Sequence, residues 1–143
     1  MNDKISLRNA TEDDYDLMYQ IKENSIKPYV ELVWGWEENF QRQFLKENTS
    51  YKEVKFILFE NEVAGFIQTK ENEDEIFIGS LFITTDFQKK GIGTYLLSEI
   101  FKQNKTVSLE VLKLNTGAIN LYKRMNFKVW KEDELKYFMK YTP

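Results

Sequence analysis

The chain has neither cysteine nor histidine. Without an imidazole to take the nucleophile's proton, Ser-His-Asp and Cys-His systems are both excluded. Structural zinc is excluded with them, because its thiolate and imidazole ligands are missing. No EF-hand spacing stands in for it, so no metal is expected. No disulfide can form. Acid–base chemistry must therefore run on Asp, Glu, Lys, Tyr or water. Glycine and proline are scarce too, 6 and 2 in 143 residues, and they leave no linker, repeat or low-complexity tract. The longest apolar runs, such as 56–59, are far too short to span a membrane. The N-terminal stretch MNDKISLRNATEDD has no apolar core of signal-peptide length, which points to the cytoplasm.

A mass of 17.2 kDa suits one domain over residues 1–143. A net charge of −3 and a pI near 5.2 argue against a nucleic-acid partner, which selects for a basic face. Aromatic residues are in excess at 15%, enough for a core and a pocket.

Alternation marks a first strand at 5–8. Thr11 with Asp14 forms a near capping box, and Leu17, Met18 and Ile21 continue a helical stripe to about Ser25. Pro28 is expected to stop that helix. A second helix is predicted to carry Trp36, Phe40 and Phe44 on one face as far as Lys46, with Phe40 and Phe44 read as core. Strands follow at 54–60, 63–70 and 76–84, with turns at Asn61-Glu62 and in the acidic run 71–75. A helix over 91–103 turns Tyr95, Leu96 and Ile100 inward; then come a strand at 106–113, a helix at 115–125 and strands at 127–131 and 135–141. The order βααβββαβαββ predicts an α+β fold around a mostly antiparallel sheet.

The chemistry concentrates in Gln88-Lys89-Lys90-Gly91-Ile92-Gly93-Thr94, where a strand ends and a glycine-bearing loop opens a helix. A helix's first turn carries N–H groups without intrahelical partners and a positive end of the macrodipole. Gly91 and Gly93 let an anion approach the backbone, and Lys89 and Lys90 add charge, so the expected ligand is a phosphate or pyrophosphate. A P-loop fits poorly because no Lys follows Gly93. A Rossmann fingerprint fits poorly because Leu96 occupies its third small position.

Gln88-Lys89-Lys90-Gly91-Ile92-Gly93 resembles the Arg/Gln-x-x-Gly-x-Gly/Ala signature of the GNAT superfamily of acetyl-CoA-dependent N-acetyltransferases. Asn115-x-x-Ala118-x-x-x-Tyr122, followed by Met125-Asn126-Phe127, is similar to the family's second motif, with Asn126 where a Gly often stands. Asn tolerates the left-handed conformation that such a position requires. The resemblance covers the element order of nearly the whole chain, and specific residues across 76–127.

It implies the GNAT fold, with strands 4 and 5 splayed and the pantetheine arm paired to main-chain groups of Leu81, Phe82 and Ile83. It places the pyrophosphate on the amides of Lys89, Lys90, Gly91, Ile92, Gly93 and Thr94, with Gln88 at the turn's start and Asn115 beside the cofactor arm. Tyr122 is the implied general acid for the leaving thiolate of coenzyme A. Asn115 and Tyr122 are seven residues apart, about two helical turns, so both can face one cleft. An ammonium has no lone pair, so the acceptor must lose a proton. Glu110, which resembles a base position of the N-terminal protein acetyltransferases, Glu75 and water are the alternatives. On the acceptor side Tyr29, Trp34 and Trp36 are candidates for an aromatic wall, with core packing as the competing reading.

The resulting expectation is direct transfer of an acetyl group from acetyl-CoA to a primary amine, by a monomer or homodimer without metal, nucleic acid or membrane. The acceptor is a small molecule or a peptide N-terminus. The alternative is an acyl-CoA-binding module without turnover.

Overall fold

A computed structural model describes residues 3–143; Met1 and Asn2, which open the stretch read for a targeting signal, lie outside the described residues. The elements are β1 (Ile5–Asn9), α1 (Tyr15–Trp34), α2 (Glu38–Asn48), β2 (Val54–Phe59), β3 (Glu62–Glu71), β4 (Glu75–Ile83), α3 (Ile92–Phe101), β5 (Thr106–Leu112), α4 (Thr116–Arg124), β6 (Lys128–Glu132) and β7 (Lys136–Tyr141), with short 3-10 turns at Glu12–Asp14, Tyr51–Glu53 and Thr85–Phe87. This is the order expected from the sequence. The strands follow each other in one sheet as β1-β2-β3-β4-β5-β7-β6. The β4–β5 pair is parallel, and the β1–β2, β2–β3, β5–β7 and β6–β7 pairs are antiparallel.

Contacts cluster in two compact units. One comprises the residues up to Gln68 together with Ser80–Lys90; the other comprises Thr69–Gly79 and Gly91–Pro143. In the first unit, Met18, Tyr19 and Ile21 of α1 and Leu45 of α2 close over Phe56 of β2 and Phe66 of β3. Phe82 adds its ring to Phe66 edge-on, 5.3 Å between centroids. Arg42 ties the two helices, bonded to Asp16 at 2.7 Å and Glu38 at 2.9 Å.

Two expectations fail here. Helix α1 does not stop before Pro28 but runs through it to Trp34 and closes with the Gly35 N–H on the Glu31 carbonyl at 3.1 Å. Proline removes one rung of the ladder, yet the turn beyond it buries Val30, and tertiary packing outweighs the missing bond. Helix α2 begins after Trp36, and its inward residues are Gln41 and Leu45. Phe40 and Phe44 are 60% and 48% exposed, stacked on each other at 6.0 Å rather than placed in the core. The four-residue spacing identified a face but could not say which face.

In the second unit the register Val107↔Tyr141, Leu109↔Met139 and Val111↔Tyr137 puts these side chains on one face of the β5–β7 pair. Phe101 at the end of α3 stacks on Tyr141 at 3.7 Å, and Phe127 joins Tyr141, Phe101 and Tyr122, so α3 and α4 cover that face. The inward residues of α3 are Ile92, Gly93, Leu96 and Leu97, so Leu96 is where the periodicity put it while Tyr95 is only half-buried. Strand alternation sends Ser108 and Glu110 to the opposite face.

Candidate active site

Strand β4 ends in a sequence of hydrogen bonds that shape the loop. Within the first unit Thr84 N–H reaches the Ala64 carbonyl at 2.9 Å, Phe87 N–H reaches Thr84 at 2.9 Å, and the Gln88 side-chain amide donates to the Ile83 carbonyl at 2.9 Å. Gly65 lies so close to β4 that a Cβ there would stand 1.9 Å from the Phe82 carbonyl oxygen. The side chain of Phe82 is committed to the core, which leaves its main chain to present.

Lys89 and Gly91 are both left-handed, with φ of 63° and 80°. Glycine adopts that conformation freely; lysine pays for it, a cost concentrated where a loop must hold a set shape. Alternating backbone handedness gathers successive N–H groups into an anion-binding concavity. The first α3 ladder bond is Tyr95 N–H to the Gly91 carbonyl at 3.0 Å, so the amides of Ile92, Gly93 and Thr94 precede it. The Ile92 side chain is buried, Lys89 and Lys90 are exposed, and the Lys90 ammonium lies 5.7 Å over Phe59. These residues fit a pyrophosphate: free amides, a dipole end and two mobile cations.

Asn115 caps α4, its side-chain oxygen accepting from Ala118 N–H at 3.2 Å. Asn126 is left-handed, φ 69°, the conformation in which it replaces a glycine. Between them Tyr122 is buried, its ring edge-on to Phe127 at 5.5 Å. Burial pushes its phenol up to about 12, so the group is neutral and protonated at ordinary pH.

Both candidate bases belong to the second unit. Glu75 opens β4 opposite Thr106 and accepts from the Ser108 hydroxyl at 2.5 Å. It lines a cavity of about 390 Å³ with Lys70, Glu71, Asn72 and Phe77. Glu110 follows Leu109, the last residue in the parallel register with β4, and meets Lys136 at 3.4 Å. Tyr122 thus stands on the helix-covered face and Glu110 on the opposite one. Sequence reasoning missed Ser108 and Lys136, whose only signal was same-face alternation with Glu110.

The acceptor-side aromatics are not brought together as a wall. Trp36 donates its indole N–H to the Tyr19 hydroxyl at 3.0 Å and packs on the first unit's core. Trp34 is 57% exposed at the end of α1, and Tyr29 is half-buried within it.

Residues 10–127 match the acetyltransferase (GNAT) family. The chain belongs to this family. It is similar to an uncharacterized N-acetyltransferase of Methanocaldococcus jannaschii, 25% identical over 137 residues, covering 86% of this chain and 60% of that protein's length. Among solved structures it shares its fold with the PaiA N-acetyltransferase of Thermoplasma acidophilum in complex with coenzyme A (TM-score 0.77, 19% identity, the whole of both chains). An N-acetyltransferase of Staphylococcus aureus Mu50 gives a TM-score of 0.71 at 17% identity over 95% of this chain and all of that one. The GNAT fold, with its parallel β4–β5 pair in a mostly antiparallel sheet, is the fold of this chain. No helix among the described residues is long and apolar enough to cross a membrane.

Proposed function

We propose that residues 1–143 form one cytoplasmic N-acetyltransferase domain that moves an acetyl group directly from acetyl-CoA to a primary amine, a small molecule or a peptide N-terminus. The observation that carries this reading is the loop after β4, where left-handed Lys89 and Gly91 precede free α3 amides. The pyrophosphate takes those amides together with Lys89 and Lys90. Gln88 holds the turn through Ile83. Main-chain groups of Leu81, Phe82 and Ile83 pair with the pantetheine arm, and Asn115 borders it. Tyr29, Trp34 and Trp36 belong to the acceptor side, with Trp36 acting through Tyr19.

The deprotonated amine attacks the thioester carbonyl carbon, and a C–N bond forms as the carbonyl electrons move to oxygen. Collapse of this tetrahedral intermediate breaks the C–S bond and expels the thiolate. Tyr122 donates a hydrogen bond to the developing sulfur charge. A thiol's reference pKa of about 8.5 lies well below that of the buried phenol, so complete transfer from Tyr122 is uphill until the amine's proton is passed on. Glu110 is the favoured acceptor of that proton, directly or through water, because it stands where the parallel register ends. Glu75, held by Ser108 four residues before Gly79, is the second. Acid and base on opposite faces of the strand suit a thioester lying between them.

The test is thermal unfolding against acetyl-CoA, with adenosine 3′,5′-bisphosphate as control, followed by an amine panel read as coenzyme A release. At about 100 times Kd, linkage adds about 2.7 kcal/mol, several degrees at this size. No shift at millimolar acetyl-CoA rejects the cofactor site; a shift without coenzyme A release for any amine rejects the transfer.

A further inference from the structure

The inward row of α1 runs Met18, Lys22, Ser25, Tyr29, spaced as one helix face. Its middle is polar. Lys22 is only 8% exposed, yet among the described residues no carboxylate or carbonyl meets its ammonium; the Phe44 ring at 5.1 Å is its one neighbour of opposite polarity. One turn on, the Ser25 hydroxyl oxygen is buried without a hydrogen-bond partner. Each is costly by itself, because a buried charge or hydroxyl is retained in folded proteins when something pairs with it. Two such groups three residues apart present donors and no acceptor charge, the signature of an anion site lacking its anion. The next residue fixes the place: Asn24 accepts the Thr85 N–H at 2.9 Å, so this turn of α1 borders the end of β4 within the same unit.

We propose that Lys22 and Ser25 form a subsite for the carboxylate of an amino-acid-like acceptor. This rests on the acetyl-transfer reading, which supplies the amine and sets the thioester on β4. One ammonium and one hydroxyl match a monoanion with two oxygens, whereas a phosphate dianion demands more donors. A polyamine is rejected by the same lysine, since its second ammonium meets a like charge.

The experiment needs no turnover. Wild type, Lys22→Met and Ser25→Ala are unfolded thermally against individual N-acetylamino acids and against the matching N-acetylamines that lack the carboxylate. The methionine keeps the apolar stem on Phe44, so the variant folds. The expected result is stabilisation of wild type by carboxylate-bearing compounds, at least tenfold tighter than by their decarboxylated partners, with that ratio abolished in Lys22→Met and reduced in Ser25→Ala. Equal binding of both series, no shift with either, or a Lys22→Met protein that keeps the preference overturns the subsite. Acetyl-CoA is titrated on the same samples. If the carboxylates bind and the cofactor does not, the subsite stands and acetyl transfer falls; the reverse pattern removes the subsite alone.

Discussion

The side-chain amide of Gln88 donates to the main-chain carbonyl of Ile83 at 2.9 Å, folding the loop back on the strand it leaves. This bond spans five residues and fixes the direction in which Lys89 and Gly91 enter their left-handed conformations. The residue at the head of the motif therefore acts on the cofactor through backbone shape. Replacing Gln88 by Ala removes one hydrogen bond, a stability loss of about 1 kcal/mol. Its larger expected effect is on acetyl-CoA, whose thermal shift shrinks because the amides are no longer held in one arrangement. Full retention of the acetyl-CoA shift contradicts this role.

Two glycines should respond very differently to alanine. At Gly91 a Cβ meets nothing within 4 Å, but φ is 80°, so Gly91→Ala costs about 1 kcal/mol of backbone strain and leaves a folded protein. At Gly65 the added carbon falls 1.9 Å from the backbone oxygen of Phe82, which only a shift of β3 against β4 relieves. Gly65→Ala is expected to destabilise by about 3 kcal/mol or more, as overpacking against backbone does. Urea unfolding of both variants checks the contrast, and equal midpoints contradict it.

The element order was legible because each strand alternates and each helix start is signposted, by Thr11 with Asp14 for the first and by Asn115 for the last. What stayed hidden depends on packing across distance. Pro28 reads as a stop, and only the burial of Val30 beyond it explains why the helix continues. Phe40 and Phe44 have a core residue's spacing on a helix whose buried side carries Gln41 and Leu45. In the candidate site the glycines of the loop could be read, but not the left-handed Lys89, since nothing in lysine's chemistry announces a positive φ. Lys22 was invisible for the same reason as Phe40: charge predicts exposure, and here the tertiary fold overrides it.

Tyr122→Phe removes the hydroxyl and keeps the ring contact with Phe127. The expected outcome is a fall in kcat of about a hundredfold with little change in the acetyl-CoA shift. Because the phenol works protonated and burial holds its pKa at about 12, its contribution persists as pH rises and fades only near that value. The kcat profile of the wild type should therefore show an ascending limb from the amine and base, and no descending limb below about pH 10 from Tyr122. A descending limb near pH 8 that vanishes in Tyr122→Phe refutes the assignment.

Lys22 also predicts a pH dependence of stability. Burial pulls its ammonium below the ordinary 10.5. In the unfolded chain the group keeps its proton up to that ordinary value, so between the two pKa values the unfolded state binds more protons and stability rises with pH. Below the folded pKa both states are charged, and the full desolvation cost is carried by the native state. Lys22→Met removes that cost, so it should melt higher than wild type at pH 7, and the advantage should narrow as pH approaches 10.5. Paired melting curves across this range measure it. A variant that melts lower than wild type at pH 7 means the lysine is already compensated, and with it the case for an anion waiting to be bound at Ser25 disappears.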